Sequence, residues 1–566
     1  MTKLVECVPN FSEGRDRAVI DAIAAAIASV PGVRLLDVDP GADANRTVYT
    51  FVGPPEAVAD AAFRGALKGA ELIDMTRHRG EHPRLGALDV CPIVPVAGVT
   101  MDECVALAHA LGRRLADALG IPVYFYEHAA AREERRSLAA IRAGEYEGLA
   151  RKLADPAWTP DCGPAVFNPK LGAAVVGARR FLIAYNVNLN TRDRRLAHEI
   201  ALAIRETGRL ARDASGAVAT DAEGRPVRVP GRLKAVRARG WYLEQYRQAQ
   251  VSINLTDYET TPLHRVFETV REEADRRGLI VTGSELIGMT PLAPMREAGR
   301  YFLAKQGRSP GAPEPELIEI AVRSLGLDQL APFDPARKII EYAVREPRPL
   351  MALPAARLVD EVSSGTPAPG GGSAAALAGS LAAALCAMAA NVTVGKPGYA
   401  EAAIELGRLA ERAQQIKSAL ADAVDDDARA YTAVVEAKRL RRSMAPGERA
   451  RDRSLHEAFR RATDVPLATM RLARDVLALA RDVAGRCHPG AVPDVGVAVH
   501  AARAALEGAA LNVAANLDSV GDPAYRRAVL DDVQRLTTQA RQLAEEALAQ
   551  IAGRMGAPGG SAESGR

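Results

Sequence analysis

Apolar positions along the chain change their period, and those changes lay out its architecture. Val5-Glu6-Cys7-Val8 reads as a short strand closed by Pro9-Asn10. Ser12 can cap the helix that follows, whose Val19, Ile23, Ile27 and Val30 share one face. Strands are expected over 33–38 and 47–52, a helix from Pro54-Pro55 to about Leu72, and a strand over 88–94. The capping-box pattern Thr100-Met101-Asp102-Glu103 starts a further helix, and 121–126 is one more strand. The order then recurs as strand 180–189, helix 191–205, strands 240–244 and 250–255, helix 262–276 and strand 279–285. Strand-helix-strand-strand-helix-strand is the ferredoxin-like order. An α+β fold of two ferredoxin-like βαββαβ subdomains is therefore predicted, over 1–180 and 181–330. Residues 213–230, rich in Gly, Ala and charge, read as a surface insertion in the second.

The pattern changes after Glu346-Pro347-Arg348-Pro349. Residues 331–354 are expected as a linker, and 355–555 as an all-α helical bundle, being Ala-rich and almost free of aromatic residues. Its helices are predicted over 372–392, 399–440, 447–461, 465–486, 493–517 and 523–553. The small, polar tail 556–566 is expected to be disordered.

Composition narrows the partners. Net charge is +3 from 73 basic and 70 acidic residues, too balanced to suggest nucleic acid or a membrane surface. No apolar run approaches membrane-spanning length and MTKLVECVPN has no signal-like core, so a cytoplasmic protein is expected. Six scattered cysteines without a CxxC pair give no reason to expect a disulfide framework or a metal.

Candidate chemistry gathers in four places. Residues 77–84 hold two of the nine histidines, His78 and His82, with Glu81 and the arginines Arg77, Arg79 and Arg84. Imidazole moves protons near neutral pH, and guanidinium groups hold carboxylates in bidentate fashion. The alternative is a solvated turn. A second loop, Gly163, Pro164, Ala165, Val166, Phe167, Asn168, Pro169, Lys170, Leu171 and Gly172, carries an aromatic residue at a subdomain junction, where a flat ligand would lie.

In the helical half, Gly370, Gly371, Gly372 and Ser373 lead straight into a helix, leaving backbone N–H groups free for an anion or carbonyl. Those glycines equally permit a tight helix start. The apolar stripe Leu409, Ala413, Ile416, Leu420, Val424, Tyr431, Val434 puts Asp427 on the core-facing side, with Asp425 and Asp426 pointing elsewhere. A carboxylate there is costly unless it is paired or used. Asn512 and Asn516, four apart on an apolar segment, can bond each other or read a heterocycle edge.

Several of these stretches resemble known families. VECVPNFSEG at 5–14, NRTVYTFVGPPE at 45–56, GEHPRLGALDVCP at 80–92, GARRFLIAYNVNLN at 177–190 and GWYL at 240–243 resemble glutamate formimidoyltransferases. APGGGSAAALAG at 368–379 and VDDDARAYTA at 424–433 resemble formimidoyltetrahydrofolate cyclodeaminases. Together they resemble the bifunctional formimidoyltransferase-cyclodeaminase family over nearly the whole chain. The resemblance implies transfer of a formimino group from formiminoglutamate to N5 of tetrahydrofolate, then closure to 5,10-methenyltetrahydrofolate with loss of ammonia. It implies His82 as the catalytic histidine, 163–172 as the folate-binding stretch and Asp427 as the cyclodeaminase aspartate. Gly370 to Ser373 and Asn512 would complete the second pocket, and Arg77, Arg79 and Arg84 would meet glutamate carboxylates. It further implies small-molecule substrates only, a polyglutamylated folate co-substrate, no metal, and a homo-oligomer. The helical half also resembles methenyltetrahydrofolate cyclohydrolases, so a cyclohydrolase-like or non-catalytic oligomerisation domain is the alternative.

Overall fold

The computed structural model describes residues 3–42, 44–80, 83–244, 246–444 and 453–556. Strands β1 (Leu4–Cys7), β2 (Asn10–Phe11), β3 (Arg34–Gly41), β4 (Arg46–Gly53) and β5 (Leu88–Ala97) alternate with helices α1 (Arg17–Ala28) and α2 (Pro55–Leu72). They pair antiparallel in the order β5-β1-β4-β3, the expected ferredoxin-like sheet. Ile20, Ile23 and Ile27 of α1 and Val58 and Ala62 of α2 pack on Val5, Cys7, Phe51 and Ile93. Period-two alternation in the strands and period-3.6 stripes on the helices meet there in one core. One cap differs from expectation. Asp16, not Ser12, caps α1, accepting from the N–H groups of Ala18 (2.9 Å) and Val19 (3.4 Å). Ser12 Oγ instead donates to the Gly86 carbonyl at 2.7 Å.

The first sheet then grows beyond four strands. Helix α3 (Met101–Leu119) starts with the Thr100–Glu103 capping box seen in the sequence. Strands β6 (Val123–Glu127) and β7 (Ala174–Ala178) join β5 in parallel. Strand β7 escapes sequence patterning because AVVGA is short and has no polar alternation. Helices α4 (Leu138–Arg142) and α5 (Glu145–Leu153) cover the second face of these parallel strands, through Ile141, Leu149 and Leu153.

The second sheet has the same topology. It is built from β8 (Ile183–Leu189), α6 (Arg194–Ile204), β11 (Val236–Leu243), β12 (Gln248–Leu255), α7 (Leu263–Asp275) and β13 (Val281–Ile287). The strand order is β11-β12-β8-β13. The insertion opens on a short antiparallel pair, β9 (Arg209–Leu210) with β10 (Arg228–Val229). Its backbone is bonded onward, as from Val227 N–H to the Ala219 carbonyl at 2.9 Å.

By its internal contacts the chain forms two compact units. One runs to Leu292 and takes in Gln329–Val344; the other is Ala293–Asp328 with the chain from Arg345 onward. Helices α8 (Leu292–Lys305) and α9 (Glu314–Leu325) therefore fall largely with the helical unit, although the sequence assigns 293–328 to the second subdomain. Ser309 Oγ donates to Asn391 Oδ1 at 2.6 Å, and Arg300 pairs with Glu411 at 3.7 Å. Residues 331–354 are not a plain linker. They form α10 (Pro335–Lys338) and α11 (Ile340–Val344), anchored by the buried Ile339 and Ile340.

The helical unit contains α12 (Ala355–Val362), α13 (Gly371–Asn391), α14 (Ala403–Ser443), α15 (Ser454–Ala484), α16 (Val492–Leu517) and α17 (Pro523–Gly556). Where two helices over 447–461 and 465–486 are predicted, α15 is one helix with Pro466 inside it. Proline cannot donate to the carbonyl four residues back. Here that carbonyl, Ala462, accepts from Asn516 Nδ2 at 2.8 Å, so α15 continues without an orphaned acceptor. Residues 447–452 of the predicted helix and 557–566 of the tail lie outside the described residues.

One expectation about apolar length is corrected. Helix α13 is long and apolar enough to cross a membrane, with a mean hydropathy of 1.8 over its best window. It is a core helix of the bundle, lying against α14, α15 and α16. Its small residues permit this: a side chain on Gly379 would meet Leu420 and Ala505 at 3.2 and 3.3 Å.

Candidate active sites

The 77–86 loop is suspended from two motifs nearer the N-terminus. Asn45, at φ 47°, accepts from Gly14 N–H with Oδ1 and donates to the Arg79 carbonyl with Nδ2, both at 3.0 Å. His78 is buried, with Nε2 2.7 Å from the Asn45 carbonyl and Nδ1 3.2 Å from Arg84 Nε. A carbonyl only accepts and a guanidinium only donates, so Nε2 carries the proton and Nδ1 is bare. Burial lowers the pKa of His78 from its usual value, in keeping with this neutral form. His78 is thus a strut for the loop. Glu81 and His82 lie outside the described residues, between Gly80 and Pro83.

Arg84 corrects the sequence reading of a guanidinium open to ligand. It is 5% exposed and already filled. Nη1 donates to Glu145 (3.2 Å) and Glu147 (2.8 Å), and Nη2 to Glu147 at 2.6 Å. Arg84 therefore anchors the loop to α5. Arg77 and Arg79 are exposed; Arg79 donates to the His78 carbonyl at 2.8 Å, and Arg77 stands 3.7 Å from Asp74.

The Gly163–Gly172 stretch runs directly beside this loop. Ala87 N–H donates to the Leu171 carbonyl (2.9 Å), Ala173 N–H to Leu85 (3.1 Å) and Met75 N–H to Lys170 (2.9 Å). The chains meet this closely because of two glycines. A β-carbon on Gly172, at φ +68°, would lie 2.1 Å from the Leu85 carbonyl, and one on Gly86 would lie 2.4 Å from that of Leu171. Asn168 Oδ1 accepts from the N–H groups of Lys170 and Leu171, closing the turn. The Phe167 ring sits 5.4 Å from that of Tyr146, over which Arg84 lies at 5.8 Å. Val166 is exposed. The structure thus brings two candidate loops, far apart in sequence, into one rim.

Two supports were not read from the sequence. Arg135 is fully buried and donates to Asp161 Oδ1 (2.6 Å) and to the Ala157 and Thr159 carbonyls, fixing the approach to Gly163. A polar row, buried at Asn186, Asn188 and Gln250, also crosses the second sheet. Trp241 Nε1 donates to Gln250, Gln250 Nε2 to Asn188 and Glu285, and Asn186 to Glu285. Its signal was present in Tyr185-Asn186-Val187-Asn188-Leu189, an alternation with amides on a face that proves to be buried.

In the helical unit the three aspartates face three ways. Asp425, 2% exposed, accepts from the N–H groups of Leu350 (2.9 Å) and Met351 (3.2 Å). It is the most buried of the three, a point the apolar stripe does not show, because residues 350–351 cover that side of α14. Asp426 pairs with Arg429 at 2.6 Å. Asp427 points at the first turn of α13, where Ser373 Oγ donates to its Oδ2 at 3.1 Å. Burial raises the pKa of Asp427, and the side-chain and backbone hydrogen bonds from Ser373 oppose that only in part.

Ser373 Oγ also lies 2.8 Å from the Val424 carbonyl, tying α13 to α14 one turn before Asp427. Gly371 stands next to Asn512, whose Nδ2 would be 3.4 Å from a β-carbon there. Asn512 donates to Gly508 in its own helix and does not bond Asn516, which serves Ala462. Gly370, Gly371, Gly372, Ser373, Asp427 and Asn512 therefore share one corner. Among the described residues, no group of three or more His, Cys, Asp or Glu could hold a metal ion.

The comparisons with known proteins follow the same division. Residues 4–179 match the family described as formiminotransferase domain, N-terminal subdomain, and 184–345 the formiminotransferase domain. Residues 354–535 match formiminotransferase-cyclodeaminase. The chain is 44% identical over 545 residues to the formimidoyltransferase-cyclodeaminase of Gallus gallus, covering 96% of this chain and 97% of that protein. It is 43% identical to the glutamate formimidoyltransferase of Streptococcus pyogenes over 54% of this chain and 94% of that one. It is 37% identical to the methenyltetrahydrofolate cyclohydrolase of Methylorubrum extorquens over 33% of this chain and 90% of that one. With its sheets and its bundle both matched in order, and near-complete coverage of a two-part relative, the chain belongs to the formimidoyltransferase-cyclodeaminase family.

Proposed function

We infer that the chain catalyses two consecutive steps on tetrahydrofolate. In the first unit the formimino group of N-formimino-L-glutamate passes to N5 of tetrahydrofolate. N5 must lose a proton as it attacks the formimino carbon, and the departing glutamate nitrogen must gain one. His82 is the general acid/base for both transfers. The observation that carries this is the shared rim of the 77–86 and 163–172 loops, pinned by His78, Arg84 and Asn45. Phe167 offers the folate a ring to pack on, and Arg77 and Arg79 meet the carboxylates of formiminoglutamate.

In the helical unit, N10 attacks the formimino carbon of 5-formiminotetrahydrofolate, forming the 5,10-methenyl ring. The amino nitrogen must leave as ammonia, and Asp427 is its proton donor. A carboxyl held against the start of α13 with its pKa raised by burial suits that role. Asn512 and the N–H groups of Gly371 and Gly372 bind polar edges of the folate. The resemblance to a cyclohydrolase favours a second reading of this half, hydrolysis of a methenyl-folate. Ammonia release stoichiometric with methenyl formation from 5-formiminotetrahydrofolate supports the deaminase; methenyl turnover without ammonia supports the alternative.

A polyglutamylated folate, a cytoplasmic location and a homo-oligomer complete the reading. Self-association is supported by exposed apolar side chains on the bundle, including Leu381, Leu511 and Ile404. Light scattering of the purified chain tests it.

A further inference from the structure

Ser373 Oγ reaches α14 at Val424 and Asp427, and Ser380 Oγ donates to the Lys417 carbonyl at 3.0 Å. Helix α13 therefore runs antiparallel to α14 and begins level with Asp427. One turn further along α14, this register carries Tyr431 beyond Gly371, the first residue of α13. The apolar stripe that is buried at Leu409, Ala413, Ile416, Leu420 and Val424 opens there, and Tyr431 is 37% exposed. Ala430 and Val434 on either side of it stay buried in a cluster with Phe459 and Val520. The helix is thus held in place while the ring is left uncovered.

Aromatic rings are scarce in the bundle. Residues 355–555 carry Tyr399, Tyr431, Phe459 and Tyr525. The others are engaged. The Tyr399 ring lies 5.9 Å from that of His488, and Phe459 is buried with Lys438 over it at 5.0 Å. Tyr525 donates to Asp464 at 2.7 Å and lies under Arg460 at 4.5 Å. Among the described residues, Tyr431 has no hydrogen-bond, ring or cation partner. A single exposed ring is ordinary on a protein surface, but the place of this one is not. Tyr431 follows Asp427 by four residues, which on a helix is the same face, about 6 Å along the axis. Val435, 42% exposed, continues that row outward. The rest of the corner is built from Gly370–Ser373 and Asn512, which offer polar atoms and no ring.

We propose that Tyr431 is the platform on which the aminobenzoyl ring of the folate lies while its formimino carbon reacts at Asp427. The proposal rests on the reading of this corner as a folate site. N5 is a pterin atom, and N10 is bonded directly to the aminobenzoyl ring. A folate reacting between the two therefore has its pterin on one side of the carboxyl and its aminobenzoyl ring on the other. Asn512 and the glycine N–H groups suit the hydrogen-bonding edge of the pterin. That leaves Tyr431, on the solvent side, for the aminobenzoyl ring, where two aromatic rings can pack in offset or edge-to-face contact. Tyr431 acts on binding and orientation and moves no proton.

The test is the Michaelis constant for 5-formiminotetrahydrofolate in ammonia release by the full chain. Tyr431→Ala should raise it roughly 10- to 100-fold, the loss expected for one aromatic stacking partner, with turnover reduced much less. Tyr431→Phe keeps the ring and should stay close to wild type. Tyr431→Leu is apolar without a ring face and should resemble Tyr431→Ala. p-Aminobenzoyl-L-glutamate should inhibit ammonia release by the wild type competitively and lose that inhibition in Tyr431→Ala, whereas 6-methyltetrahydropterin should inhibit both alike. Formimino transfer should be unchanged in all three variants. An unchanged Michaelis constant in Tyr431→Ala, a rise that Tyr431→Phe shares, or no inhibition of the wild type by aminobenzoylglutamate overturns the proposal. So does an altered oligomer by light scattering with the constant unchanged, which would assign the ring to a contact between copies. If the wild type instead hydrolyses methenyltetrahydrofolate without releasing ammonia, the deaminase reading fails on its own, and the same variants are compared on the Michaelis constant for that substrate.

Discussion

A β-carbon on Gly372 would lie 2.1 Å from Oδ1 of Asp427. The carboxyl thus fills space that any other residue in the first turn of α13 would occupy. This ties the triple-glycine run to the aspartate on α14, two features that stand apart in the sequence. Gly372→Ala must push the carboxyl off Ser373. Misplacement of a reacting group by about 1 Å costs about 10²-fold. Ammonia release from 5-formiminotetrahydrofolate should fall by that order while formimino transfer is unaffected. A fully active variant would mean that the glycine serves only the helix start.

Asp427→Asn should separate stability from activity. The folded-state pKa of Asp427 is raised, so its favourable contribution to folding is present below the unfolded aspartate value, about 4, and is lost as pH rises through the folded value. Above that value the ionised carboxyl is a burden, and removing its charge should raise the melting temperature of the helical unit there. The gain should vanish in acid. In the wild type, ring closure should decline as pH rises through the raised value, because the donor is the protonated form. A variant whose melting temperature relative to wild type does not rise with pH would contradict this account of the burial.

Arg84→Ala should act through the loop and not through a ligand contact. It removes the bidentate pair with Glu147 and the hydrogen bond to His78. Hydrogen bonds to charged groups each contribute about 1.5–3 kcal/mol, and unfolding of the first unit should shift accordingly. Turnover in formimino transfer should drop more than the Michaelis constant for formiminoglutamate rises. Arg84→Lys should not rescue it, since an ammonium cannot reproduce the fork. A pure Michaelis-constant effect would restore Arg84 as a substrate contact.

Much of this was legible in the chain. Strand and helix periods carried both ferredoxin-like sheets because the apolar strand positions alternate and meet the helix stripes, and the Thr100 capping box fell where it was read. The phase of α14 singled out Asp427, which meets Ser373, but not that Asp425 is the more buried of the two. What escaped depended on partners distant in sequence. Arg84 looks like any loop arginine until Glu145 and Glu147, on a helix about 60 residues later, fill it. Pro466 looks like a break until Asn516 takes the carbonyl it leaves free. Asp425 looks solvated until Leu350 and Met351 present their N–H groups to it.

The central claim is that one chain performs two separable steps, with His82 serving the first and Asp427 the second. The most direct measurement follows methenyl absorbance and ammonia together, from formiminoglutamate and tetrahydrofolate as the only substrates. Wild-type protein should give both products in equal amounts. His82→Ala should slow the overall reaction roughly 10²–10⁴-fold, yet turn over supplied 5-formiminotetrahydrofolate at the normal rate. Asp427→Asn should accumulate 5-formiminotetrahydrofolate and release no ammonia. Equal loss of both steps in either variant, or methenyl formation without ammonia in the wild type, would contradict the account.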